Sequence, residues 1–153
     1  MGIQPLFTQS MKFIVIATAA ESLLIREEHK HLPVIVTGVG AINVIKALSH
    51  LSKDTEIINY GYVGSINLPI GETYEIGQVG LFHPNVTYKE HQLKLEGDTK
   101  CYTSCDFVLQ SDIQDCVYDM ELAYIAAMGF KKVRAYKTVS DHLDYGQYEA
   151  NRQ

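Results

Sequence analysis

The sequence predicts an α/β layered domain with a largely parallel or mixed sheet, and three observations carry that prediction. Short apolar runs alternate along the chain with segments of helical period. Several of the runs are unbroken by polar residues, the pattern of strands buried on both faces. Glycines and small hydroxyl residues cluster just beyond the runs, where an open α/β sheet places its ligand.

Phe13-Ile14-Val15-Ile16-Ala17 is the first such run, after a mixed stretch over 1–10 that reads as an N-terminal arm. A segment rich in Leu, Glu and Arg from Glu21 to Lys30 predicts a helix, and Pro33 introduces a second strand, Val34-Ile35-Val36-Thr37. Ala41, Val44, Ile45 and Leu48 fall at i, i+3, i+4 and i+7, an amphipathic helix that ends near Ser52. Glu56 to Tyr60 predicts a third strand, closed by a glycine turn over Gly61 to Ser65, and Gly77 to Phe82 a fourth. From His83 to Lys100 the alternation permits a hairpin. Asp106 to Gln110 predicts another strand. Asp119 is placed to cap a buried helix over Met120 to Met128, which Gly129 stops. Lys132 to Val139 predicts the last strand, and Ser140 to Asp144 the turn beyond it.

With 153 residues the chain fits one domain, taken as 11–153 behind the arm. Hydrophobic residues at 46% and charged residues at 20% are ordinary for a globular protein. A net charge of −5 with no Lys/Arg cluster argues against a nucleic-acid binder, whose affinity rests on neutralising phosphates. No apolar run reaches the ~20 residues that a membrane span needs. Three cysteines, at 101, 105 and 116, suit a reducing compartment better than a disulfide scaffold. The expectation is a cytoplasmic protein without membrane or nucleic-acid partners.

The strand-end rule selects the segments at Thr18–Ser22, Gly38–Asn43, Gly61–Ser65, Ser111–Asp112 and Ser140–Asp144. Gly38-Val39-Gly40 lacks the third glycine of a dinucleotide fingerprint, and Gly61 to Ser65 lacks the lysine of a phosphate loop. The histidines and cysteines form no compact metal-ligand spacing, so neither metal nor cofactor is expected. Glu121, at the start of a buried helix, is a carboxylate in need of a partner that a ligand hydroxyl could supply.

Five blocks, in order, carry a family resemblance: Met11 to Glu21, Ile57 to Gly64, Ile70-Gly71 with Gly77-Gln78-Val79, Tyr118 to Ala123, and Lys137 to Asp141. Over residues 11–144 they resemble the methylthioadenosine/adenosylhomocysteine nucleosidases of the nucleoside phosphorylase superfamily. The resemblance implies a three-layer α/β/α fold with a mixed sheet, a purine nucleoside as ligand, and a homodimer. It implies that Asp141 protonates the purine with Ser140 in support. Met120 and Glu121 would meet the ribose, and Gly61 and Tyr62 would belong to the central substrate-binding turn. It also implies departures. The family's water-activating glutamate aligns with Ser22, with Glu21 beside it as the candidate replacement. Its last-strand arginine is Lys137, and a small hydroxyl residue of the central turn is Tyr62. An early hairpin, part of the base-binding loop with its stacking aromatic, and the closing C-terminal helix are expected to be missing. Arginines that hold phosphate in the phosphorylases have no counterpart at Ala19-Ala20 or Asn59. N-ribosyl hydrolysis is thus the expected activity. The alternative is a catalytically silent nucleoside- or base-binding protein that lost the glutamate.

Overall fold

The computed structural model describes residues 11–83 and 93–152; the expected arm over 1–10 and part of the hairpin region lie outside them. Eight strands are present there: β1 (Lys12–Ile16), β2 (Val34–Val36), β3 (Glu56–Gly64), β4 (Thr73–Leu81), β5 (Leu93–Lys94), β6 (Thr99–Thr103), β7 (Cys116–Asp119) and β8 (Lys132–Asp141). Three short α-helices accompany them: α1 (Ala41–Leu48), α2 (Leu122–Ala127) and α3 (Tyr145–Asn151). All strands join one mixed sheet in the order β2-β1-β3-β7-β6-β4-β5, and β8 pairs with both β3 and β4. That double pairing turns β3, β8, β4, β6 and β7 into a closed ring with β1 and β2 continuing from β3. Five of the eight pairings are parallel, and β3–β7, β4–β5 and β4–β8 are antiparallel. The mixed sheet therefore stands. Instead of full helical layers, three helices of eight, six and seven residues flank it.

Several elements differ from their sequence expectation. The helix from Glu21 to Lys30 is two 3₁₀ segments, Ala19–Leu24 and Glu27–His29, separated by Ile25 and Arg26. The glycine turn at Gly61 to Ser65 does not end β3; the strand runs on through Gly64, paired with β8 to Asp141. The fourth strand begins earlier, at Thr73, because its start pairs with Thr138 to Tyr136 of β8. Asp106 to Gln110 is not a strand: Phe107 and Val108 line a cavity, and Leu109 faces solvent. β7 takes Cys116 to Asp119, so its helix starts at Leu122, two residues later than the pattern suggests. The last strand extends to Asp141, and a short C-terminal helix, α3, does follow it.

The main core packs α1 and α2 on the sheet through Val44, Leu48, Ile57, Val79, Leu122 and Ile125, all buried. A second, smaller core lies on the other face, where Ile14, Ile16, Ile58, Tyr60 and Tyr136 receive Ile25 from between the two 3₁₀ segments. Tyr60 anchors the second 3₁₀ segment by polar contacts as well. Its hydroxyl shares a hydrogen bond with His29 Nδ1 at 2.6 Å and accepts one from the Arg26 backbone N–H at 3.4 Å. Tyr136 stacks on Tyr60 at 5.4 Å and carries the Arg26 guanidinium 4.3 Å from its ring centre. Among the described residues no helix is long and apolar enough to cross a membrane, and the three cysteines are free.

Removing the Tyr60 hydroxyl leaves the ring packed but takes a partner from both His29 and Arg26. Tyr60→Phe is expected to cost about 1–2 kcal/mol in urea unfolding. An unchanged midpoint would mean that the 3₁₀ segment is held by packing alone.

Candidate active site

The carboxyl ends of β1, β3, β7 and β8 converge on one cavity of about 270 Å³. Its wall includes Glu21, Met120, Glu121 and Asp141, together with Tyr62 and Phe107. Of the sequence candidates, Ser140 and Gly61 stand just behind the wall and act through their neighbours.

Glu21 reaches the cavity because the chain after β1 turns tightly. The Ala17 and Thr18 backbone N–H groups donate to its Oε1 at 2.9 and 3.1 Å, and the Tyr62 N–H donates to Oε2 at 2.9 Å. A carboxylate buried to 7% exposure is thereby supplied with three donors, which offsets the loss of water. Ser22, one residue on, faces solvent. The carboxylate that lines the cavity is thus Glu21, and Ser22, which the resemblance aligned with the family's glutamate, is not among the lining residues.

Gly61 makes the approach possible. A Cβ there would lie 3.1 Å from both Glu21 Oε2 and Lys137 Nζ, tighter than ordinary contact. Gly64 does the same for Asp141, whose Oδ2 would lie 2.8 Å from an added methyl. The central glycines are therefore spacers for two acids, on a strand that never turns.

Lys137, behind this wall, forms a buried pair at 3.1 Å with Asp119, which itself lines the cavity. Asp119 also accepts from the Thr103 hydroxyl and, at 2.8 Å, from the Leu122 N–H, so it opens α2 from below. Burial works against the Lys137 charge. Asp119, then Cys101, Glu121 and Glu21, more than offset it, and the ammonium is held above the ordinary lysine value. The sequence reading named Asp119 only as a helix cap and Lys137 only as a departure. Lys137, an ionisable residue at an inward position of a buried strand, was the signal that both belong to the site.

Glu121 accepts the Gly40 N–H at 2.9 Å on Oε2. Burial, with Asp119 nearby as the next cause, pushes its carboxyl up to about 7. Asp141 accepts the Ser140 hydroxyl at 2.7 Å and the Leu143 N–H at 2.9 Å. Burial nevertheless raises its carboxyl above the usual aspartate value, against those hydrogen bonds. The cavity thus holds two acids that keep a proton more readily than in water, beside a Glu21 seated on backbone donors.

The sequence reading missed the wall supplied by the segment after β6. Phe107 faces the cavity and meets Tyr145 and Tyr148 of α3 edge-on or tilted, at 5.2 and 5.4 Å. An aromatic flank to the cavity is therefore present, although the resemblance led us to expect its loss. Among the described residues no group of three or more His, Cys, Asp or Glu is disposed to hold a metal ion.

Solved structures of nucleosidases superimpose on the chain and share its mixed α/β fold. A variant of the MTAN (5′-methylthioadenosine/S-adenosyl homocysteine nucleosidase) of Chlamydia trachomatis matches with a TM-score of 0.76 at 18% identity, covering 94% of this chain and 90% of its own. The same protein bound to MTA matches at 0.75 and 19% over the same shares. A Helicobacter pylori futalosine hydrolase mutant matches at 0.68 and 14%, covering 94% and 91%. No family model and no curated protein matches the sequence.

Two outcomes test this description. Lys137→Met leaves Asp119 buried without its cation and is expected to cost about 3–5 kcal/mol in urea unfolding; a loss below about 1 kcal/mol would mean that the pair is not desolvated as described. Glu121 binds its proton more tightly folded than unfolded. The stability it contributes is fullest below its unfolded value of 4.5 and is lost as pH rises through about 7. Asp141 acts in the same direction. Glu121→Gln should therefore flatten the fall in melting temperature between about pH 5 and about pH 8, and an unaltered slope would count against a raised Glu121.

Proposed function

We propose that the protein hydrolyses the N-ribosyl bond of a purine nucleoside such as methylthioadenosine or adenosylhomocysteine. The observation that carries the reading is that Glu21, Glu121 and Asp141 face one cavity with an aromatic side wall. Breaking the C1′–N9 bond sends its electron pair into the purine, and a proton delivered to N7 stabilises the departing base. Asp141 suits that role, since burial favours its protonated form and Ser140 fixes one of its oxygens. Phe107 offers an apolar face to the purine beside it. Glu121 accepts the ribose hydroxyls, and Met120 lines the sugar's side of the cavity. Positive charge that develops on the ribose ring is met by the carboxylates around it.

The nucleophile is water. Its oxygen forms the new bond to C1′, and its proton passes to Glu21, whose three backbone donors hold the acceptor in place. The place of Glu21 in the cavity supports hydrolysis over the silent binding protein that Ser22 suggested. Solved relatives of the same fold are described as bound to MTA and to adenine, which supports a purine ligand here. A homodimer and a cytoplasmic setting go with the reading.

Purine release from methylthioadenosine, adenosylhomocysteine and inosine, followed by chromatography with and without phosphate, tests it. Release is expected without phosphate, and Asp141→Asn should lower it about 10²–10⁴-fold. No release from any of the three by the wild-type protein, with purine nucleosides still raising its melting temperature, would return the protein to the binding class.

A further inference from the structure

Asp141 belongs to the cavity wall and yet is 0% exposed. Leu143, two positions on, stands against it. This leucine is half-buried, lines the same cavity and packs on the cluster of Tyr102, Cys116 and Tyr118. Its Cδ2 and the Asp141 Oδ2 share the space over Gly64. A Cβ on that glycine would lie 3.0 Å from the methyl and 2.8 Å from the oxygen. The Leu143 N–H donates to the same oxygen at 2.9 Å. One residue thus brings the carboxyl both a donor and an apolar neighbour.

The backbone at Leu143 is strained. Its φ of 64° lies in the left-handed region, which a bulky side chain enters at a cost and a glycine enters freely. The flanks hold the turn in this shape. The His142 N–H donates to Gln147 Oε1 at 2.9 Å, and the His142 Nε2 meets the Leu68 carbonyl at 3.0 Å. Asp144 accepts the Gln147 N–H at 2.9 Å and so caps α3. A glycine in place of Leu143 would present the same N–H without the strain. What leucine adds there is hydrocarbon.

We infer that Leu143 is a positioning residue for Asp141: its backbone aims an amide at one carboxyl oxygen, and its side chain keeps water from that oxygen. The inference rests on the reading above, in which Asp141 must meet the purine with a proton to give. Burial favours the protonated acid, whereas the Ser140 hydroxyl, the Leu143 and Asp144 N–H groups and the His142 ring favour the anion. Removing the hydrocarbon leaves those groups in place and admits water, so the balance moves toward the anion. Glu21, Asp119, Glu121 and the phenols of Tyr62, Tyr118 and Tyr148 line the same cavity and are common to every variant of Leu143.

The test is carboxyl-carbon NMR of protein carrying isotope-labelled aspartate, titrated for the wild type, Leu143→Gly, Leu143→Asn and Leu143→Met. Asp141→Asn identifies the Asp141 resonance. In the wild type it should titrate above the ordinary aspartate range. Leu143→Gly should lower its midpoint by about one pH unit or more. Leu143→Asn accepts the same backbone but puts an amide where the hydrocarbon was, so it should act likewise and serves if the glycine variant does not fold. Leu143→Met restores hydrocarbon and should keep the wild-type midpoint. The alkaline limb of kcat/KM for purine release should move down in step with the midpoint. An ordinary midpoint in the wild type overturns the inference. So does one that stays in place in Leu143→Gly and Leu143→Asn, or that moves as far in Leu143→Met. A fall in melting temperature with no shift of the midpoint would make Leu143 a packing residue only. If the midpoint moves as expected but the wild type releases no purine, this inference stands and the nucleosidase reading falls.

Discussion

Lys137 sits in the interior with Asp119 against its ammonium, and its charge is also felt by Glu21 and Glu121. An isolated ammonium in such a place would shed its proton, and three carboxylates without a cation could not all stay ionised. Each side therefore makes the other tolerable. The surplus negative charge is resolved at Glu121, where burial and Asp119 shift the balance toward the protonated acid. The electrostatics of the cavity floor follow from one lysine on β8.

The same constraint reaches into the backbone. Asp119 cannot serve Lys137 and also sit inside a helix, so β7 stays extended through it and α2 begins only at Leu122, whose N–H it receives. Glu121 then falls at the helix boundary, where its side chain spans the gap to Gly40 and ties the start of α1 to the cavity. Gly61 and Gly64 keep β3 free of side chains where Lys137, Glu21 and Asp141 need the room. Polar burial, not propensity, sets the ends of these elements.

That explains which parts of the molecule were legible in the sequence. The apolar runs of β1 and β8 report burial directly, whereas β2, at the edge of the sheet order, leaves Val34 and Val36 exposed. The helix α1 buries Val44 and Leu48 of its expected stripe but exposes Ile45, and it ends at Leu48, short of Ser52. Asp141, Glu121 and Met120 follow such elements and lie in the blocks that carry the family resemblance, and the cavity collects them. The strand at 106–110 was misread because Phe107 and Val108 are apolar for the sake of the cavity wall, a reason that periodicity cannot separate from a sheet core. β7 was missed because it has only four residues and adjoins a helix. Glu21 was named beside Ser22 without a means to tell which of the two faces the cavity: the sequence reads as an α-helix there, and a 3₁₀ turn, with three residues per turn in place of 3.6, presents different neighbours.

The two departures at Ser22 and Lys137 are best understood together. An arginine on the last strand could hold two carboxylates at once through its planar fork, whereas a lysine is a compact point charge. Here the ammonium is committed to Asp119 at 3.1 Å, so the carboxylate above it must find its donors elsewhere. It finds them in the main chain: the tightened turn brings the Ala17 and Thr18 amides to one oxygen, and β3 brings the Tyr62 amide to the other. The seating of Glu21 beside the cavity thus depends on the backbone of β1 and β3 and not on a long side chain, and the Tyr60 bonds to Arg26 and His29 fix the chain just beyond the turn that carries it.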